Sequence, residues 1–233
     1  MRIVFSLLLI LCNITLSSQQ SGFILIENKG QWHRDVLFKT DLKNGHLYTT
    51  KSGFVYDFYD EKKLLDFYEN HYNNLHLSKN KKLKKHAYRV QIKNSDFSTV
   101  IKNQPTKYTF NYIKGNKNSW KSNVKGYHHI TYKNVYPDID IQLYTKLIHL
   151  KYDLIVKPGG DPYQIKLFYK GIDDISIKRE RLHIYTSVNH VIEDKPYAYQ
   201  LINGEKKEIA CHYKLHEHTL SFEFTLGYDK NHE

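Results

Sequence analysis

Asp138 and Asp140 stand two residues apart in Pro137-Asp138-Ile139-Asp140. In an extended strand that spacing puts both carboxylates on one face. With oxygens from Asp161, Asp173 or Asp174 they could build a calcium site. The same residues also read as turn formers, because Asp after Pro suits a type I turn. Calcium is thus the one cofactor the composition suggests, and nothing demands it. Trp32, Trp120 and the 20 tyrosines offer another chemistry. Such rings form stacking platforms for sugars where exposed and fill a core where buried. The candidate ligand contacts are therefore Trp32, Trp120, Asp138 and Asp140.

Other reactive groupings carry less. The chain holds no GxSxG, no phosphate-binding GxxxxGK[ST] and no HExxH, so no catalytic residue is assigned. Glycosidases escape that exclusion, since two placed carboxylates suffice. Of the 14 histidines, His212, His216 and His218 gather near one hairpin, while His128 and His129 would point to opposite faces of a strand. No ordered metal-ligand spacing emerges. Cys211, in Ile209-Ala210-Cys211-His212-Tyr213, alternates with Ile209 and Tyr213 and reads as a small buried hydrophobe.

The elements that must position these residues are strands. Tyrosine and phenylalanine (11) are abundant, whereas alanine occurs only at Ala87, Ala198 and Ala210. Aromatic and β-branched residues fit a pleated half-buried surface, and alanine is the strongest helix former. The centre of the chain, residues 132–170, holds three strand-like runs at 139–144, 147–157 and 165–169. Before it, strands are expected at 23–26, 36–40, 46–50, 54–59, 87–93, 98–102, 107–113 and 128–132. After it they are expected at 175–178, 181–186, 188–192, 197–202, 209–215 and 219–226. Asn44-Gly45 and Asn203-Gly204 mark hairpins. Residues 60–86 are the least ordered part, with Leu64, Leu65, Phe67 and Tyr68 suited to one short helix and a lysine run at 79–85 suited to a solvated loop. The expected fold is all-β, an antiparallel β-sandwich-like architecture, as one body or two packed β lobes, with at most one short helix.

Residues 1–18 read as a signal peptide. Arg2 supplies the positive start, 3–11 the apolar stretch, and Thr15, Ser17 and Ser18 the small residues a peptidase needs. Residues 19–233 would then be a single secreted β-rich module, not membrane-spanning after signal removal. Cys12 leaves with the leader, so no intramolecular disulfide follows. The net charge of +11 is mostly lysine, and lysine here accompanies abundant Asn, Ile and Tyr. These residues share A/T-rich codons, so the charge does not by itself argue for an anionic partner. An exported chain points to a surface protein or polysaccharide as partner and not to nucleic acid.

Several blocks also match a known arrangement. They are Glu27-Asn28-Lys29-Gly30-Gln31-Trp32, Asn111-Tyr112-Ile113-Lys114-Gly115-Asn116, Trp120-Lys121-Ser122-Asn123-Val124 and Tyr132-Lys133-Asn134-Val135-Tyr136-Pro137-Asp138-Ile139-Asp140. Tyr152-Asp153-Leu154-Ile155-Val156-Lys157-Pro158-Gly159-Gly160-Asp161-Pro162, Lys195-Pro196-Tyr197-Ala198-Tyr199-Gln200 and Tyr228-Asp229-Lys230 complete the set. In this order they resemble the N-terminal module of large secreted proteins that carry SBBP (β-propeller) repeats and gliding-motility-associated C-terminal sorting domains. The resemblance spans about residues 24–230. It implies an exported, non-enzymatic domain of unknown function, with no catalytic residues to carry over. In the relatives the Tyr-Asp-Lys block runs on into repeats. Here the sequence ends at Glu233, which reads as a stand-alone or split version.

Overall fold

A computed structural model describes residues 1–6, 22–72, 83–146 and 149–232. It is all-β with one α-helix, α1 (Glu61–Tyr72). The first five strands are β1 (Arg2–Ser6), β2 (Leu25–Glu27), β3 (Val36–Leu42), β4 (Gly45–Thr50) and β5 (Gly53–Tyr59). After α1 come β6 (Lys85–Ile92), β7 (Val100–Tyr112), β8 (Lys121–Tyr136), β9 (Ile139–Lys146), β10 (His149–Val156) and β11 (Leu167–Lys170). Then follow β12 (Asp174–Lys178), β13 (Arg181–Tyr185), β14 (His190–Glu193), β15 (Tyr197–Ile202), β16 (Glu205–Ile209), β17 (Cys211–His216) and β18 (Thr219–Phe224).

Fifteen strands form one sheet, in the order β16-β15-β1-β10-β9-β8-β2-β3-β4-β5-β6-β11-β18-β17, with β7 paired to β8 outside that path. Every pairing in it is antiparallel. The strands β12, β13 and β14 make a second, smaller sheet. The two ends of the large sheet, β16 and β17, are separated in the chain by Ala210 alone. Consecutive Cα atoms lie about 3.8 Å apart, so the two ends must meet within about 7 Å. The sheet is therefore rolled back on itself, and its edge strands are two halves of one run that changes partner at a corner.

That roll encloses the core. Phe54 on β5 meets Tyr152 on β10, with ring centroids 5.9 Å apart, and Tyr132 on β8 donates its hydroxyl to Thr49 on β4 at 2.6 Å. Leu25, Ile130, Ile139, Ile141, Leu182, Ile184 and Leu220 are fully buried. Each such side chain contributes about 2 kcal/mol through its removal from water. The alternation read from the sequence is what makes this possible, as in β6, where Tyr88, Val90 and Ile92 point inward between exposed Arg89 and Gln91.

Local chemistry explains several boundaries. Asn203 and Gly204 both take positive φ, 52° and 84°, the signature of the type I′ turn that joins β15 to β16. Gly45 is required for a different reason: a Cβ there would sit 2.0 Å from the carbonyl oxygen of Asp57 on the neighbouring strand. The expected runs at 98–102 and 107–113 are a single strand, β7, irregular around Gln104 (φ 51°). Residues 205–208, too charged to look like a strand, form most of β16 because β15 offers them a free ladder. The helix suggested by Leu64, Leu65, Phe67 and Tyr68 is present as α1. Most of the lysine run lies outside the described residues. Of its described members, Lys84 donates to the Ser187 carbonyl at 2.9 Å and Lys85 pairs with Asp57 at 3.0 Å.

Candidate functional site: a groove beside Asp153

The outward face of β1, β9, β10 and β15 carries an open groove of about 530 Å³. Strand alternation builds it. On β15, Ala198 is buried, so Tyr197 and Tyr199 on either side of it face outward, 5.9 Å apart. The β15–β16 hairpin places Lys206 above them, its ammonium 3.8 Å from the Tyr199 ring centre and 4.7 Å from that of Tyr197. A cation over aromatic faces is attracted by the ring quadrupole. On β9, Tyr144 completes the aromatic lining, with His129 of β8 6.2 Å from it.

Asp153 lies at the floor of this groove and is 1% exposed. One oxygen accepts from the Arg2 Nε at 3.0 Å, the other from the Tyr144 hydroxyl at 3.2 Å. The Arg2 guanidinium also donates to Gln142. Burial raises the Asp153 pKa, and Arg2 and Tyr144 oppose that shift. Burial, followed by the nearby Asp153 charge, raises that of Tyr144. His129 is lowered by burial and by Arg2, which favours its neutral form. The result is a face of aromatic rings, amides and two lysines around a single engaged carboxylate. It can stack planar or sugar rings and donate hydrogen bonds.

The residues singled out from the sequence lie elsewhere. Asp138 is exposed in the two-residue turn between β8 and β9, where its φ is +56°. A positive φ at the second central position after proline belongs to a type II turn, not the expected type I. Asp140 has entered β9 and is 2% exposed. It accepts from Lys133, from the Asn134 amide at 2.8 Å and from Lys157 at 2.9 Å. The turn therefore separates the two carboxylates instead of presenting them together. Asp138 lines a second hollow of about 490 Å³ with Asn94, Ser95 and Asp96. Asp161 caps the short 3-10 turn at Pro162–Gln164. Among the described residues no group of three or more His, Cys, Asp or Glu is placed to hold a metal ion.

Trp32 meets Tyr112 edge-on at 5.3 Å, and Tyr112 pairs with Lys121, the neighbour of Trp120. The two tryptophans are thus drawn to the same end of the β7–β8 hairpin. Trp120 is 40% exposed and donates its indole N–H to Gly115 at 3.3 Å. Neither tryptophan lines the groove. Two signals in the sequence pointed to the groove instead: Tyr-Ala-Tyr at 197–199, and a lone acid inside the apolar run of β10.

Fold and site together define an all-β module with an aromatic, lysine-bearing surface groove. The chain belongs to the family of the Domain of unknown function DUF7948, whose model matches residues 25–233. No curated protein and no solved structure is matched by the chain. Among the described residues no helix is long and apolar enough to cross a membrane.

Proposed function

We propose that this chain is an exported, non-catalytic module, secreted or held at the cell surface, that binds or scaffolds other surface components through the groove beside Asp153. The groove itself carries the proposal: three tyrosines and two lysines surround one carboxylate, which accepts from Tyr144 on one oxygen and turns the other toward Arg2 of the leader-like segment. Hydrolysis of a glycosidic bond uses two carboxyl groups about 5–10 Å apart, and this lining supplies one. The leader-like residues 1–18 support export. The ordered blocks shared with SBBP-repeat and gliding-motility-associated proteins support a place at the surface.

Polysaccharide binding is the second reading, favoured by Tyr197 and Tyr199, whose adjacent rings can stack on sugar faces. One experiment tests both. The protein is incubated with a panel of surface polysaccharides and with an extract of surface proteins, and both retention and newly formed reducing ends are measured. Retention weakened at least tenfold by Tyr199→Ala, with no reducing ends released, is the expected result. Polysaccharide retention selects the second reading over a protein partner. Release of reducing ends that disappears in Asp153→Asn would overturn both in favour of a hydrolase.

A further inference from the structure

The strand β1 has an unusual place for the first residues of a chain. It lies between β10 and β15 and is antiparallel to both, running from Arg2 opposite Ile155 to Ser6 opposite Lys151 on one side, and pairing Arg2, Ile3 and Val4 with Tyr199, Ala198 and Tyr197 on the other. Among the described residues no direct pairing joins β10 to β15, and β1 is what links β15 and β16 to β10. Met1 is buried, and its amino group donates to the Val156 carbonyl at 2.6 Å. Yet these residues are the basic start and first apolar residues of the leader.

Removing that leader would leave a gap one strand wide inside a continuous sheet. The backbone groups of β10 and β15 that face it would lose their partners, which is costly away from water. Asp153, 1% exposed, would lose the guanidinium that balances it. The mature chain's own start cannot refill the gap. The Phe23 carbonyl is held by Thr145 of β9 at 2.7 Å, two sheet positions from the slot. Adjacent strands lie about 4.8 Å apart, so crossing two positions consumes about three residues. Only Gln19, Gln20, Ser21 and Gly22 precede Phe23 after cleavage at Ser18, whereas β1 uses five residues.

We propose that the slot between β10 and β15 is a strand-acceptor site: the leader fills it as the chain folds, and an extended strand of a separate polypeptide, with a cationic side chain against Asp153, fills it once the leader is gone. Addition of a strand to a sheet is an established mode of peptide recognition, in which ladder hydrogen bonds give affinity and alternate side chains give specificity. The register states what the incoming strand needs. Its residue opposite Leu154 and Ala198 faces the buried side and must be apolar, while the preceding residue faces the groove and must be basic. The inference rests on the export reading, which supplies the removal of the leader.

The test uses the full chain with a site-specific protease sequence in place of residues 12–17, cut after folding. A fluorescent peptide with the sequence of residues 1–6 is expected to exchange into the cut protein saturably and to raise its Tm. The same peptide with Val4→Pro, which cannot donate to the ladder, or with Arg2→Glu, which sets a carboxylate against Asp153, is expected to bind at least tenfold more weakly. If cutting unfolds the chain, refolding by excess peptide supports the site and failure to refold overturns it. Binding that ignores both substitutions, or no binding at all, would also overturn it. A homodimer of the cut chain that the peptide dissolves would assign the slot to a second copy and overturn a separate partner. Intact mass of the exported protein tests the other premise independently. Retention of residues 1–6 would defeat the export reading and the opening of the slot, whatever the peptide does.

Discussion

Asp140 and Glu193 are both carboxylates sealed inside the same molecule, and the protein treats them in opposite ways. Asp140, at the start of β9, is surrounded by donors: Lys133, Lys157 and the Asn134 amide. Burial alone would raise its pKa, but these three donors outweigh burial and hold it below the ordinary carboxylate value. Glu193, at the end of β14, makes no ion pair among the described residues. It sits where the small sheet closes over the rolled one, among the stacked rings of Tyr56, Tyr88 and Tyr169. Burial pushes its pKa up to about 7, and hydrogen bonds from Tyr152 and Tyr169 only moderate the rise. A buried charge is tolerated when it is paired, and a buried acid without a cation keeps its proton instead.

The largest expected effect comes from breaking the compensated site. Asp140→Asn sets an amide N–H₂ against one of the ammonium groups and weakens three hydrogen bonds at the junction of β8, β9 and β10. Removing one member of a buried ion pair destabilises by about 3–5 kcal/mol, and the two lysines are partly exposed, so about 3 kcal/mol is expected. For a chain of this size that is a fall in Tm of roughly 6–12 °C. A Tm within about 2 °C of the parent at pH 6 would show that the lysines, not Asp140, hold the junction.

The second effect sets the sign of the pH dependence. Glu193 has a raised folded-state pKa, so its stabilising protonated state is fully present below the ordinary value of 4.5 and is lost as pH rises through about 7. The difference is worth about 3 kcal/mol between pH 4.5 and pH 8, less whatever local relaxation recovers. Asp140, whose pKa is lowered, acts the other way: its contribution is present above the ordinary carboxylate range and is lost as pH falls through the depressed value. Denaturant unfolding at pH 5 and pH 8 should therefore show the parent losing stability toward pH 8. Glu193→Gln should lose about 2 kcal/mol less across the same window. An identical pH slope in the two proteins would place the Glu193 carboxyl in contact with water or a cation.

The two sites also differ in how readable they were. Asp140 stood out because it lies beside a Pro-Asp turn, but its partners Lys133 and Lys157 are brought to it only by β8 and β10 lying on either side of β9. Glu193 drew no attention, since one acid at the end of Val191-Ile192-Glu193 looks like a strand reaching solvent. Alternation and turn residues located nearly every strand, because period two and Asn-Gly are local properties. They did not disclose that β2 pairs with β8, that β11 lies between β6 and β18, or that β1 enters the sheet at all. Those pairings join residues more than 50 positions apart and are decided by the closing of the roll. The groove was missed for the same reason, as its lining comes from seven strands.

The smallest expected effect separates the stability of the small sheet from the charge of Glu193, which that sheet carries. Its first hairpin, β12 to β13, turns on Arg179 and Glu180, both with positive φ, 51° and 62°. Two consecutive left-handed residues make a type I′ turn, which glycine and asparagine occupy without strain and which costs other residues about 1 kcal/mol each. Glu180→Gly relieves one of these at the expense of added chain entropy in the unfolded state. It also removes an exposed contact to His212 at 3.4 Å, and exposed pairs contribute little. The net gain should be about 0.5 kcal/mol, a rise in Tm of about 1–2 °C. Because neither strain nor entropy involves a proton, the gain should be equal at pH 5 and pH 8. A gain that appears only at pH 5 would mean that the small sheet is already detached at pH 8, with the ionised Glu193 carboxylate having forced it off the tyrosines.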